Sequence, residues 1–172
     1  ARETINCTTQ LGIRSALHPL TRRYRTDLLQ LKYRRLRCTM YTDTIFPATK
    51  SLNQMKCCQI WTDGKGYVFA DPLLSKKDTY VSLNNLIETV GIPETIFSDG
   101  AKEEVGPNSK FTKRMQELHI SSRNSEAYSQ WQNCCENTIG KLKARWKLRM
   151  VRRRVPSRLW DRGLVWEAEI MS

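Results

Sequence analysis

Histidine is almost missing from this 172-residue chain, which holds only His18 and His119. Cysteine is present, but as Cys7, Cys38 and the adjacent pairs Cys57-Cys58 and Cys134-Cys135, with no Cys-x-x-Cys anywhere. Neighbouring cysteines rarely bridge each other, and a Cys/His zinc cluster needs ligands in a spacing that does not occur here. A disulfide scaffold and a zinc module are therefore both excluded. The thiols are expected to be reduced, apolar residues of an intracellular protein. There is no apolar stretch long enough to span a bilayer, no internal repeat and no low-complexity tract, so no membrane partner is expected.

Acidic residues are scarce at both ends. The chain carries 29 Lys and Arg against 17 Asp and Glu, a net charge of +12. Residues 1–38 hold nine basic groups against Glu3 and Asp27, and residues 140–162 hold ten against Asp161. Residues 39–139, with ten basic and twelve acidic groups, are close to neutral. A near-neutral core between two Arg-rich arms, interleaved with aromatics, points to a polyanion partner, nucleic acid above all. With 40% hydrophobic residues and five Trp the chain has enough apolar mass to bury one core.

Residues 1–37 read as a basic linker or arm and residues 38–172 as the folded core. Residues 38–46, 56–62 and 66–71 are rich in β-branched and aromatic residues and read as three strands. Asp63-Gly64-Lys65-Gly66 makes a hairpin turn between the second and third, and Pro72 is expected to stop the third. Residues 78–90 carry Val81, Leu83, Leu86, Ile87 and Val90 at helical spacing, with Asp78 placed to cap the start and Gly91 to end it. A strand over 94–98, a helix over 108–118 and a short strand over 119–123 follow. A long helix over 131–150 has Cys135, Ile139, Leu142, Trp146 and Met150 on one stripe. Val155-Pro156-Ser157 ends it and opens a last helix whose inward positions read as Leu159, Gly163, Trp166 and Ile170. Three strands and then alternating helix and strand predict an α/β fold: one five-stranded mixed sheet with helices on both faces.

Three carboxylates stand out by placement. Asp43 lies inside the first strand, where a charge is costly unless it is paired or bound to metal. Asp99 follows the fourth strand at its carboxyl end, where open α/β sheets place their sites. Glu136 lies in the first turns of the long helix. With the first and fourth strands adjacent, the three acids converge. Three hard oxygen donors can hold two Mg²⁺ or Mn²⁺ ions about 3.5–4 Å apart for in-line attack at phosphorus. Each acid alone has a plainer reading: a satisfied strand acid, a turn former, a helix-dipole partner. Asp63, Asp71, Glu103 and Glu104 are rivals, and Asp63 is better explained by its turn.

At this point a resemblance adds to the reading. Tyr41-Thr42-Asp43-Thr44, Cys57 through Tyr67, Gly91-Ile92-Pro93, Ser98-Asp99-Gly100-Ala101-Lys102-Glu103, Tyr128 through Glu136 and Val155 through Asp161 resemble the integrase catalytic cores of copia-type long-terminal-repeat retrotransposons. Thr8-Thr9-Gln10 and His18-Pro19-Leu20 through Arg25 are similar to the segment ahead of such cores. The family pattern is two Asp and one Glu, the last two about thirty-five residues apart; here 36 residues separate Asp99 from Glu136. The resemblance implies a ribonuclease-H-like sheet with Asp43, Asp99 and Glu136 as catalytic metal ligands. It also implies endonucleolytic 3′-end processing, strand transfer into target DNA, a homo-oligomer, and a place in the nucleus after a cytoplasmic particle.

Further contacts to DNA are expected from Gln132 and Asn133 ahead of Glu136 and from Lys143 two turns after it on the same helix face. Arg152-Arg153-Arg154 is a phosphate-contact candidate, or an ordinary charged helix end. The chain opens on Ala1 and closes on Met171-Ser172 straight after a helical pattern, so it is expected to be a fragment of a longer protein. Ala127 and Gln130 stand where the family has prolines. The alternative function is accordingly a catalytically inactive, truncated nucleic-acid-binding remnant of an integrase; a cellular ribonuclease H or a cut-and-paste transposase would share the fold and metals.

Overall fold

The computed structural model describes residues 33–99, 109–124 and 134–172. Five strands form one mixed sheet: β1 (Arg35–Ile45), β2 (Cys57–Thr62), β3 (Val68–Leu73), β4 (Ile92–Ser98) and β5 (Ser121–Asn124), in the order β3-β2-β1-β4-β5. β1, β2 and β3 pair antiparallel, while β1–β4 and β4–β5 are parallel. The helices are α1 (Thr79–Thr89), α2 (Lys110–Glu117), α3 (Cys134–Arg152) and α4 (Trp160–Met171), with short 3₁₀ turns at Lys76–Asp78 and Ser157–Leu159. The element order and the mixed sheet are those expected from the sequence. The first strand begins at Arg35, three residues inside the stretch read as an arm.

Each face of the sheet buries its own core. On one face Met40, Trp61 and Ile96 pack with Leu83, Leu86 and Ile87 of α1 and Phe111 and Met115 of α2. On the other, Ile45, Cys58, Ile60 and Ala70 pack with Cys135, Ile139 and Leu142 of α3 and Trp160, Leu164 and Ala168 of α4. β2 sits between the two and is buried at all six positions, which is why it reads as an unbroken apolar run rather than an alternation. Fully burying an Ile or Leu side chain is worth about 1.5–3 kcal/mol, so these two clusters dominate the stability of the sheet. The buried indoles keep their polar ends satisfied: Trp61 Nε1 donates to Ser82 Oγ at 2.9 Å and Trp160 Nε1 to the Thr49 carbonyl at 2.8 Å.

Several local expectations are corrected. Pro72 does not end the third strand; it pairs with Cys58 and the strand runs on to Leu73. β3 is an edge strand, so a missing N–H on its outer side costs no ladder bond. Pro93 likewise lies within β4, opposite Leu36 and beyond the reach of β5, whose pairing begins at Thr95. Asp78 stands at the N-cap of α1 without a side-chain capping bond; Ser75 instead caps the preceding 3₁₀ turn, accepting from Lys77 N. Gly91 ends α1 as expected, at φ +130°, where a Cβ would come within 2.4 Å of the Arg34 carbonyl. No other residue fits that crossing of β1 and the α1–β4 turn.

The face of α4 is also not the expected one. Trp166 and Ile170 are 45% and 43% exposed, while Asp161 and Glu167 are buried with Trp160, Leu164 and Ala168. The two acids are tolerated inside because they are partnered. Asn53 Nδ2 donates to Asp161 Oδ2 at 2.9 Å, and Arg145 Nε donates to Glu167 Oε1 at 2.6 Å. Arg149 Nε lies 2.6 Å from the other Glu167 oxygen, an ion pair whose N–H direction makes no hydrogen bond. At the outer edge of the sheet the Ser172 hydroxyl accepts from Val68 N at 2.9 Å and donates to Val68 O at 2.7 Å.

Candidate active site

β1 and β4 run parallel and side by side, and their last aligned pair is Tyr41 with Phe97. Those rings touch, with centroids 5.4 Å apart and tilted by 43°. Asp43 lies two residues after Tyr41 within β1, on the same face as that ring, and Asp99 lies two residues after Phe97, one past the end of β4. Tyr41 packs with the cluster that holds Cys135 and Ile139, which identifies this face as the one covered by α3.

α3 is pinned to the sheet just where Glu136 begins its course. Cys135 is fully buried and its thiol points to the Ile60 carbonyl, 3.7 Å away. The hairpin turn between β2 and β3 closes on the same end: Asp63 Oδ1 accepts from the backbone N–H groups of Lys65, Gly66 and Tyr67 at 2.8, 3.1 and 3.0 Å. Asp63 is thus consumed by its turn. Gly64 in that turn, at φ +72°, passes so near that a Cβ would lie 3.1 Å from Cys134 Sγ. Glu136 and Lys143 are both exposed on α3, about 10 Å apart along its axis.

Electrostatics link these residues. The Asp43 carboxyl is half-buried and titrates above its ordinary value. Burial is the main cause; the Thr44 N–H, 2.6 Å from Oδ1, opposes it, the negative charges of Asp99 and Glu136 add to it, and Lys143 relieves part of it. One carboxyl therefore feels both other acids and the lysine. Behind Asp43, on the opposite face of β1, Gln59 donates to Thr42 Oγ1 at 2.6 Å and accepts from Thr44 Oγ1 at 2.7 Å. This buried ladder fixes the end of the strand that carries the acid.

Among the described residues no three His, Cys, Asp or Glu side chains are drawn together closely enough to share an ion. Asp99 and Glu136 are exposed and flank residues 100–108 and 125–133, which lie outside the described residues. The chemistry of the donor set fits a hard divalent cation: three carboxylates, one of them held uneasily ionised by burial and by two like charges that a cation would neutralise.

Of the other candidate residues, Gln132 and Asn133 lie outside the described residues, as do the rivals Glu103 and Glu104. Asp71 is engaged by Asn85 Nδ2 at 2.9 Å on the far side of the sheet edge. Arg152 ends α3 and Arg153 and Arg154 form the turn after it, so they stand apart from the acids, about 24 Å from Glu136 along the helix. The five described cysteines are free thiols, and burial pushes those of Cys57 and Cys58 up, out of the reactive range. No described helix is long and apolar enough to cross a membrane. The sequence reading missed the Thr42–Gln59–Thr44 ladder and the buried Glu167. The signal for the second was the four-residue spacing of Arg145 and Arg149, which sets both cations on one face of α3.

This sheet, with two helices on each face, is the ribonuclease-H-like fold of retroviral integrase catalytic cores. The HTLV-2 integrase catalytic core domain, solved in complex with magnesium in a trimeric form, superposes with a TM-score of 0.57 at 17% identity, over 77% of this chain and 86% of that one. A chain of the simian T-cell lymphotropic virus intasome, solved in complex with a PP2A regulatory subunit, gives a TM-score of 0.64 at 19% identity, covering 79% of this chain. This chain spans 50% of the length of that intasome chain. No protein-family model matches the sequence. No curated protein matches it either.

Proposed function

We propose that this chain is the catalytic core of a retroelement integrase of the copia type, a polynucleotidyl transferase that processes DNA 3′ ends and joins them to target DNA. The observation that carries the reading is the parallel pairing of β1, which carries Asp43, with β4, which Asp99 directly follows, together with the Asp43 carboxyl sensing both Asp99 and Glu136. The shared fold with integrase cores supports it.

In this reading Asp43, Asp99 and Glu136 hold two Mg²⁺ or Mn²⁺ ions. When bound, such ions supply Lewis acidity at a phosphoryl oxygen and a deprotonated oxygen nucleophile near neutral pH. The chain's own part is positional. Asp43 is held by the Thr44 N–H in front and the Gln59 ladder behind; Glu136 is held by the burial of Cys135. Lys143 offers a cation to a backbone phosphate beside the acids. Gln132 and Asn133 border the scissile region, and Arg152, Arg153 and Arg154 take phosphates further along. Their distance of about 24 Å from Glu136 corresponds to about seven nucleotide steps of duplex at 3.4 Å per step. The intasome and the trimeric core among the structural neighbours support DNA and further copies of the chain as partners; the nucleus is the place of action that this reading implies.

A strand-transfer assay with Mn²⁺ tests the proposal. The wild-type chain is expected to join a labelled oligonucleotide to target DNA, and Glu136→Gln and Asp99→Asn to abolish joining while DNA is still bound. Salt-dependent DNA binding without any metal-dependent joining, in this chain and in a longer protein containing it, overturns the enzymatic reading and leaves the remnant.

A further inference from the structure

At the far end of α3 from the acids, where it turns into α4, lies a cavity of about 250 Å³. Its wall is apolar: Trp146, Met150, Val155, Leu159 and Trp166. Its rim carries Arg149, Arg153 and Arg162; Glu167, which pairs with Arg149, also lines it, so Arg153 and Arg162 supply the net positive charge. Three further features bear on what it takes. The Trp146 Nε1–H is buried in the wall and has no acceptor among the described residues, an unsatisfied donor. The ring of Trp166 already carries the Arg149 guanidinium, 4.9 Å from its centroid. Arg149 in turn is held by the buried Glu167, so the stack is fixed rather than free to open.

We propose that this cavity is a docking site for an acidic protein segment that inserts one bulky apolar side chain between Trp146 and Trp166. The volume suits one large side chain and is small for a drug-sized ligand, for which pockets run from about 300 Å³ upward. Carboxylates on either side of the anchor meet the arginine rim. Charge decides against the amino-terminal arm as occupant, since residues 1–38 carry nine basic groups and two acids. A nucleobase is disfavoured by desolvation and not by charge. The base's polar edges would be buried in a largely apolar wall. The site is separate from the acids, and its rim shares Arg153 with the proposed DNA path.

The test uses the full 172-residue chain and two fluorescein-labelled twelve-residue peptides of alternating Glu, Asp and Ser, one with a central Phe and one with Ala in its place. The Phe peptide is expected to bind about tenfold or more tightly than the Ala peptide. Trp166→Ala removes that preference, and Arg162→Glu weakens both peptides several-fold. Both positions are outside the proposed DNA contacts, and thermal melts establish that each variant is folded. In ¹⁵N spectra the Trp146 indole resonance, assigned with Trp146→Phe, shifts on adding the Phe peptide. Equal binding of the two peptides by wild type overturns the proposal. So does a Trp146 indole that responds to a twelve-nucleotide single strand and not to the Phe peptide, which would make the cavity a nucleic-acid site.

Discussion

Arg145 donates its Nε–H to a Glu167 carboxylate that has no exposure to solvent, while the arginine itself remains half exposed. The pair is thus unequal. The cation can be rehydrated if it loses its partner, and the anion cannot.

That inequality gives the first prediction. Removing both cations in Arg145→Ala/Arg149→Ala strands a buried charge, and should lower unfolding free energy by about 3–5 kcal/mol. Glu167→Gln keeps an acceptor for Arg145 and frees two arginines that already reach water, so it should cost only about 1–2 kcal/mol. Urea denaturation of the three proteins checks the order; equal losses would contradict it.

Gly163 in α4 supplies the second. Replacing a helical Gly by Ala ordinarily stabilises by about 1 kcal/mol. Here an added Cβ would lie 2.9 Å from Trp146 Nε1 and 3.0 Å from its Cδ1. Overpacking costs about 1–3 kcal/mol, so Gly163→Ala should be neutral to destabilising by up to about 2 kcal/mol instead of stabilising. Thermal denaturation reads the sign directly.

Asp71 supplies a pH dependence. Burial raises its carboxyl above the ordinary value of 3.8, outweighing the hydrogen bonds from Asn85 and Ser82 that lower it. The folded chain therefore holds this proton more tightly than the unfolded one. The resulting stability is fully present below the unfolded value and is lost as pH rises through the folded one. Asp71→Asn keeps an acceptor for Asn85 and cannot ionise. It should melt above wild type at pH 7, and the gap should narrow as pH falls toward 4. A gap that widens in acid would reverse the assignment.

The arginine turn gives a test of the DNA path. Arg152→Ala/Arg153→Ala/Arg154→Ala should weaken binding to all duplexes alike. It should also flatten the plot of log K against log salt by about 0.9 for each phosphate that is no longer neutralised. Lys143→Ala, beside the acids, should instead impair joining more than binding. Fluorescence anisotropy across a salt series, run beside the joining assay, separates the two.

How much of this could be read from the residues alone follows from what each residue's neighbours are. The stripe of Cys135, Ile139 and Leu142 was legible because apolar side chains at helical spacing have only one use in an α/β layer. The pairing of β1 with β4 followed from element order, since a strand returning through a helix pairs parallel. The inward face of α4 was not legible. Its buried Asp161 and Glu167 depend on Asn53, Arg145 and Arg149, partners 108, 22 and 18 positions away in sequence. Pro72 looked like a strand breaker because only the finished sheet reveals that it faces no ladder bond. The distance between the acids' side chains was beyond sequence for a related reason: Asp99 and Glu136 sit on the surface, where no packing partner fixes a side chain.

The hydroxyl of Ser172 that occupies both backbone groups of Val68 has a further effect at the sheet's rim. Together with Pro72, which offers no N–H, it leaves β3 a poor template for an incoming strand. Association through that margin by extending the sheet from one molecule into the next is disfavoured. A second molecule approaching there must be recognised by side chains, which makes the contact selective for a partner of matching shape and keeps it from propagating into a fibre.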